Sequence, residues 1–156
     1  MIQFEIPGSD RTPHIQVRSE GGLISFEGES YPEDVATFYG PVVNAITELM
    51  AVAQEVNASF HLIYVNSSSM KALYRIFELL QKKHESGAPI KIDWKFEEDD
   101  DVMQELGEDF KDRFPDLNFN YFILNFFKQQ GRRSQWVTGG QQIRCTCLMP
   151  LCFSNI

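Results

Sequence analysis

The chain has 156 residues, a length for one domain around one core, and its hydrophobic and charged fractions, 43% and 23%, are those of an ordinary globular protein. Its formal net charge of −8 repels phosphate backbones and anionic bilayers at long range, which argues against nucleic acid and against a membrane surface as partners. Thirteen phenylalanines predict a core rich in aromatic rings.

Ile2 to Ile6 alternates apolar and polar residues and suits a strand, ended by Pro7-Gly8-Ser9-Asp10. His14 to Arg18 and Leu23 to Glu27 also alternate, and Glu20-Gly21-Gly22 between them signals a hairpin. Tyr31-Pro32-Glu33-Asp34 reads as a helix start, because proline loses no needed donor there and carboxylates meet the positive helix end. Val35, Phe38, Val42, Ile46 and Leu49 recur at helical spacing. Gly40-Pro41 interrupts that run and predicts a kink, or a helix beginning near residue 40.

Ser59 to Val65 is a compact apolar strand, followed by the turn Asn66-Ser67-Ser68-Ser69 and a helix marked by Met70, Leu73, Ile76, Phe77 and Leu80. Gly87 is its expected C-terminal cap. Ile90, Ile92, Trp94 and Phe96 alternate in another strand. A third helix is expected from Asp100 to Arg113, and Asn118 to Asn125 forms a last, very aromatic strand. Alternating strands and helices favour parallel pairing with right-handed crossovers, while the early hairpin makes an antiparallel edge. The expected fold is α/β, a mixed sheet of about six strands with three helices mostly on one face.

The domain is expected to span residues 1–127. From Lys128 the pattern dissolves, so residues 128–156 read as a tail, poorly ordered or loosely docked. Its three cysteines, Cys145, Cys147 and Cys152, are odd in number and lack zinc spacing, so neither a disulfide framework nor a metal is implied. The run Glu97-Glu98-Asp99-Asp100-Asp101 reads as a solvated loop or helix start. His61 reads as a satisfied core residue. No stretch approaches the about 18–20 apolar residues that span a bilayer, and the N-terminus lacks a signal-peptide pattern, so a cytoplasmic protein is expected.

The most informative segment is Tyr64-Val65-Asn66-Ser67-Ser68-Ser69-Met70-Lys71. An apolar strand runs into three hydroxyls and a helix begins at once. Asn66 or Ser67 is placed to cap it. The free N–H groups and the helix dipole favour a negative charge there, so a phosphate is tolerated while the surface charge changes sharply. The bland alternative is that the serines serve only as caps. Ser68-Ser69-Met70-Lys71 also matches the S-x-x-K pattern of serine acyl enzymes, but Lys-Thr-Gly and Ser-Asp-Asn are missing. Tyr31 is expected either to staple onto the helix or to meet a partner.

Four stretches in order resemble the SiaC family of bacterial biofilm-regulating phosphoproteins over about residues 3–124. They are Ile6-Pro7-Gly8 with Thr12-Pro13-His14-Ile15; Gly28-Glu29-Ser30-Tyr31-Pro32-Glu33; Tyr64 to Ala72; and Ile76-Phe77-Glu78-Leu79-Leu80. The resemblance implies a fold similar to STAS domains and a partner-switching circuit without catalysis or cofactor. A serine/threonine kinase phosphorylates the hydroxyl after the asparagine, here Ser67, with Ser68 and Ser69 as neighbouring candidates. A PP2C-type phosphatase removes the phosphate. The unphosphorylated protein binds and activates a diguanylate cyclase, raising cyclic di-GMP. Tyr31, Pro32, Glu33, Asn66, Ser68, Ser69 and Lys71 are the expected partner contacts. The alternatives are a STAS-like binding module without phosphorylation and a serine hydrolase using Ser68 and Lys71.

Overall fold

In a computed structural model, residues 1–125 are described, together with the backbone of two strands beyond them. Strands β1 (Gln3–Ile6), β2 (His14–Arg18) and β3 (Leu23–Ser30) precede helix α1 (Val35–Val52). Then β4 (Val56–Val65), α2 (Ser67–Glu85), β5 (Ile90–Glu97), α3 (Asp101–Arg113) and β6 (Asn118–Leu124) alternate. Each strand pairs with its neighbour in sequence, antiparallel among β1, β2 and β3 and parallel from β3 to β6. Three crossovers advance in one direction, and with the right hand that such connections adopt almost without exception they put α1, α2 and α3 on the same face. All six expected strands and three helices occur in the expected order.

The sheet continues further than expected. Strand β7 (Gln135–Thr138) pairs antiparallel with β6, and β8 (Gln141–Ile143) pairs antiparallel with β7. Strands of four and three residues are too short for alternation to announce them. The intervening Gly139-Gly140 is the sequence's one hairpin signal there. The rest of the 128–156 tail, with its cysteines, lies outside the described residues.

The core lies between the sheet's covered face and the helices. Phe60 stacks on Phe26 and Phe77 at 5.1 Å each, and Phe77 stacks on Phe110 at 4.3 Å. Offset ring packing of this kind contributes beyond the area it buries. Gly22 closes the β2–β3 connection at φ 58°, and a Cβ there would lie 1.9 Å from the Glu55 carbonyl oxygen, so only glycine fits. Helix α1 starts at Asp34, whose side chain accepts from the Thr37 N–H, and runs through Pro41 as one helix. Pro32, which the sequence placed in the first turn, precedes the cap. The acidic run supplies Asp100, which caps α3 by accepting from the Met103 N–H at 3.0 Å. His61 is not a core residue. It sits half-buried on the face without helices, its Nε2 3.5 Å from Glu97 and without a hydrogen bond.

Candidate functional site

An open α/β sheet takes ligands in a crevice where strand order reverses. This sheet runs β1 to β8 without a reversal, so that crevice is missing. The chemistry-bearing residues gather instead where β3 and β4 end together. The Asn66 N–H donates to the Ser30 carbonyl at 3.0 Å, tying the two strand ends to each other.

Asn66 is the N-cap of α2: its Oδ1 accepts from the Ser69 N–H at 2.8 Å, and its carbonyl accepts from the Met70 N–H at 3.0 Å. Asparagine therefore does the capping, and Ser67 and Ser68 are left as the first two helical residues. Both are exposed, and neither hydroxyl has a hydrogen bond among the described residues. Their N–H groups lack helical acceptors, as first-turn donors do. A dianion on either hydroxyl meets free donors and the positive helix end.

Ser69 departs from expectation. It is 0% exposed and its hydroxyl is buried, so a kinase cannot reach it in the folded protein and it cannot touch a partner. It belongs to a buried polar cluster with Ser30 and Tyr39. The Ser30 and Tyr39 hydroxyls lie 2.6 Å apart, whereas Ser69 Oγ acts on the Tyr39 phenol without forming a hydrogen bond of good geometry. Burial pushes the Tyr39 phenol up to about 12, so it stays protonated at neutral pH.

Pro32 is also buried and is withdrawn as a partner contact. Tyr31 is half-buried. Its hydroxyl donates to the Asp10 carbonyl at 2.7 Å, and its ring meets Tyr64 edge-on at 5.6 Å, so it does not act as a helix staple. Glu33 is exposed and pairs with Arg11 at 2.6 Å, an open pair of small energetic value. Lys71 is exposed and has no ion pair among the described residues. Tyr31, Asn66, Ser67, Ser68 and Lys71 thus share one end of the molecule.

Sequence reasoning missed two features of that end. Gly28 pairs with Leu62 and Glu29 with Tyr64, leaving Ile63 without a partner on β3: a β-bulge. The bulge breaks the strand's alternation, so the consecutive Ile63 and Tyr64 are both exposed, at 53% and 51%. Gly28, at φ 114°, was the available signal. The second feature is an open groove of about 620 Å³ between α1 and α2. Val35, Ala36, Gly40 and Val43 line its α1 wall, and Ser68, Lys71, Ala72 and Arg75 its α2 wall.

The hydrolase reading gains no support here. Ser68 and Lys71 are both exposed with no hydrogen bond between them, and Lys71 lacks the burial that makes a lysine a useful base.

Comparison with known proteins places this geometry. Residues 6–124 match the family described as SiaC family regulatory phosphoprotein. An uncharacterized protein of Pseudomonas aeruginosa strain UCBPP-PA14 is 32% identical over 124 residues, spanning 79% of this chain and 96% of that one. The crystal structure of apo-SiaC from P. aeruginosa superposes with a TM-score of 0.68 at 33% identity, covering 79% of this chain and 98% of that chain. A chain in the structure of the diguanylate cyclase SiaD in complex with its activator SiaC gives a TM-score of 0.70 at 32% identity, over 78% of this chain and 98% of that one. The chain belongs to the SiaC family of regulatory phosphoproteins.

Proposed function

We propose that this protein is a non-catalytic, cytoplasmic switch in which phosphorylation of Ser67 controls binding to, and activation of, a diguanylate cyclase. The observation that carries the reading is the exposed, unengaged Ser67 hydroxyl directly after the Asn66 cap, at the positive end of α2. Ser68 is the neighbouring candidate acceptor. Family membership and the solved complex of a relative with its cyclase support the nature of the partner.

A serine/threonine kinase and a PP2C-type phosphatase set the phosphorylation state. Residues 1–127 act as the regulatory domain, and β7 and β8 beyond them extend its sheet. Phosphorylation adds about −1.5 to −2 charges and three acceptor oxygens without unfolding the turn, because the free Ser67 and Ser68 N–H groups receive them. A partner surface packed over this turn would have to bury a dianion, which weakens the contact.

The test is incubation with the cognate kinase and ATP, read by intact mass. One phosphoryl group, about 80 Da, is expected on the wild type and none on Ser67→Ala. Uptake retained by Ser67→Ala and lost by Ser68→Ala would move the acceptor by one residue. No uptake by the wild type would refute the switch.

A further inference from the structure

The strands of the sheet lie in sequence order, so β1 is an edge strand, paired on one side only. The Ile2 carbonyl accepts from the Ser19 N–H at 3.0 Å, which turns the main-chain groups of Ile2, Phe4 and Ile6 toward β2. The N–H and C=O groups of Gln3 and Glu5 therefore point off the sheet, with no hydrogen-bond partner among the described residues. Unpaired edge groups of this kind are a template for another strand.

Proteins commonly blunt such an edge with a lysine, a proline or a bulge. Gln3–Ile6 contains none of these, and its register with β2 is unbroken. Its single charge is drawn over β2: Glu5 Oε1 lies 2.8 Å from His14 Nε2 and accepts from Gln16 Nε2 at 3.0 Å. The helix side of the strand is apolar. Ile2, Phe4 and Ile6 pack against the core yet remain half-exposed, because no described element lies beyond them. A cleft of about 450 Å³ separates Ile2 and Phe4 from Pro41, Asn44, Ala45 and Glu48 on α1.

We infer that a second copy of this chain adds to the β1 edge, antiparallel about a two-fold axis at Phe4, so that one sheet runs through both copies. Gln3 of each copy then faces Glu5 of the other, and their outward main-chain groups pair. On the helix side Ile2, Phe4 and Ile6 meet Ile6, Phe4 and Ile2. On the other side each Gln3 amide meets a Glu5 carboxylate, which accepts from it. Sliding the pairing until Glu5 faces Glu5 sets like charges opposite each other, and sliding it until Gln3 faces Gln3 forfeits the Ile6 contacts. This self-complementarity is what an isologous interface requires, and it identifies a second copy as the occupant.

A strand of 4 residues beside a short cleft is a small interface, below about 1,000 Å², so the dimer is weak and concentration-dependent. The net charge of −8 on each copy opposes approach at long range, and salt screens it. The Ser67 end is carried by β3 and β4, on the far side of β2, so the pairing leaves it free and is independent of the proposed switch.

The test is sedimentation equilibrium of the full chain from about 10 to 500 μM in about 0.3 M salt, which spans weak association with charge repulsion screened. The fitted mass is expected to rise from 18.0 kDa toward twice that value. Gln3→Pro removes an outward N–H, spares the bonds to β2, and should abolish association. Gln3→Lys sets a cation opposite Glu5 and should tighten the dimer about fivefold, while Gln3→Glu sets a like charge there and should weaken it about fivefold. Gln104→Lys, the same charge change on α3, should stay within about twofold of wild type. Thermal melts establish that Gln3→Pro folds; if it does not, the lysine and glutamate variants decide alone. A mass that stays at 18.0 kDa throughout overturns the inference. So does association that survives Gln3→Pro in a folded chain, or a lysine variant no tighter than the glutamate one.

Discussion

Replacing Asn66 by alanine tests whether the asparagine, rather than the serines, builds the turn. The substitution removes the 2.8 Å hydrogen bond from the Ser69 N–H to Asn66 Oδ1. Losing an N-cap costs about 1 kcal/mol. The orphaned donor belongs to a residue that is 0% exposed, where water replaces the lost acceptor poorly. That raises the expected loss to about 1–2 kcal/mol. With a urea m-value of about 2 kcal/mol/M, the unfolding midpoint should fall by about 0.5–1 M. Urea titration followed by far-UV circular dichroism reads it. Asn66→Asp keeps the acceptor and adds a charge that suits the helix end, so it should recover most of the loss. An alanine variant within about 0.3 kcal/mol of wild type, or an aspartate variant no better than alanine, would refute the assignment of the cap to Asn66.

Ser69→Ala should leave kinase-dependent phosphoryl uptake unchanged and stability within about 1 kcal/mol, because the hydroxyl it removes is buried without a well-formed hydrogen bond; intact mass and a thermal melt check both. Gly107→Ala should destabilise by about 1–3 kcal/mol in urea titration, against the usual gain of alanine in a helix. Its Cβ would lie 2.6 Å from the Trp94 indole, which is held by a 2.8 Å hydrogen bond to the Met103 carbonyl. Stability should also fall between pH 10 and 12. Burial raises the Tyr39 and Tyr121 phenols from 10.0 to about 12, so the unfolded chain loses those protons first. Their contribution is intact below pH 10 and declines as pH rises, by up to about 1.4 kcal/mol per pH unit for the buried Tyr39 and by less for the half-exposed Tyr121, where solvent screens the effect. Tyr39→Phe should flatten the decline, which denaturation at graded alkaline pH measures.

The order of elements was legible because each rested on a local period. Ile90 to Phe96 alternates, and Leu73, Ile76, Phe77 and Leu80 share one helical stripe. The Asn66–Ser69 turn was legible for the same reason: a strand, a cap and a helix are contiguous there. What depended on distant partners was not. The burial of Ser69 follows from Tyr39 and Ser30 closing over it, and nothing in Ser67-Ser68-Ser69 distinguishes its third member. The exposure of Ile63 and Tyr64 follows from a register shift set by Gly28 on another strand. Gly40-Pro41 looked like a break, yet the helix absorbs the missing hydrogen bond because Asp34 caps it and its inner stripe is packed in the core. Strands β7 and β8 are too short to show a period and exist by pairing, β7 onto β6 and β8 onto β7.

The most direct measurement is the rate of cyclic di-GMP synthesis by the partner cyclase with this protein added in unphosphorylated and Ser67-phosphorylated form. The account predicts stimulation by the first and its loss with the second, with Ser67→Ala stimulating irrespective of kinase. Equal stimulation by both forms would contradict it.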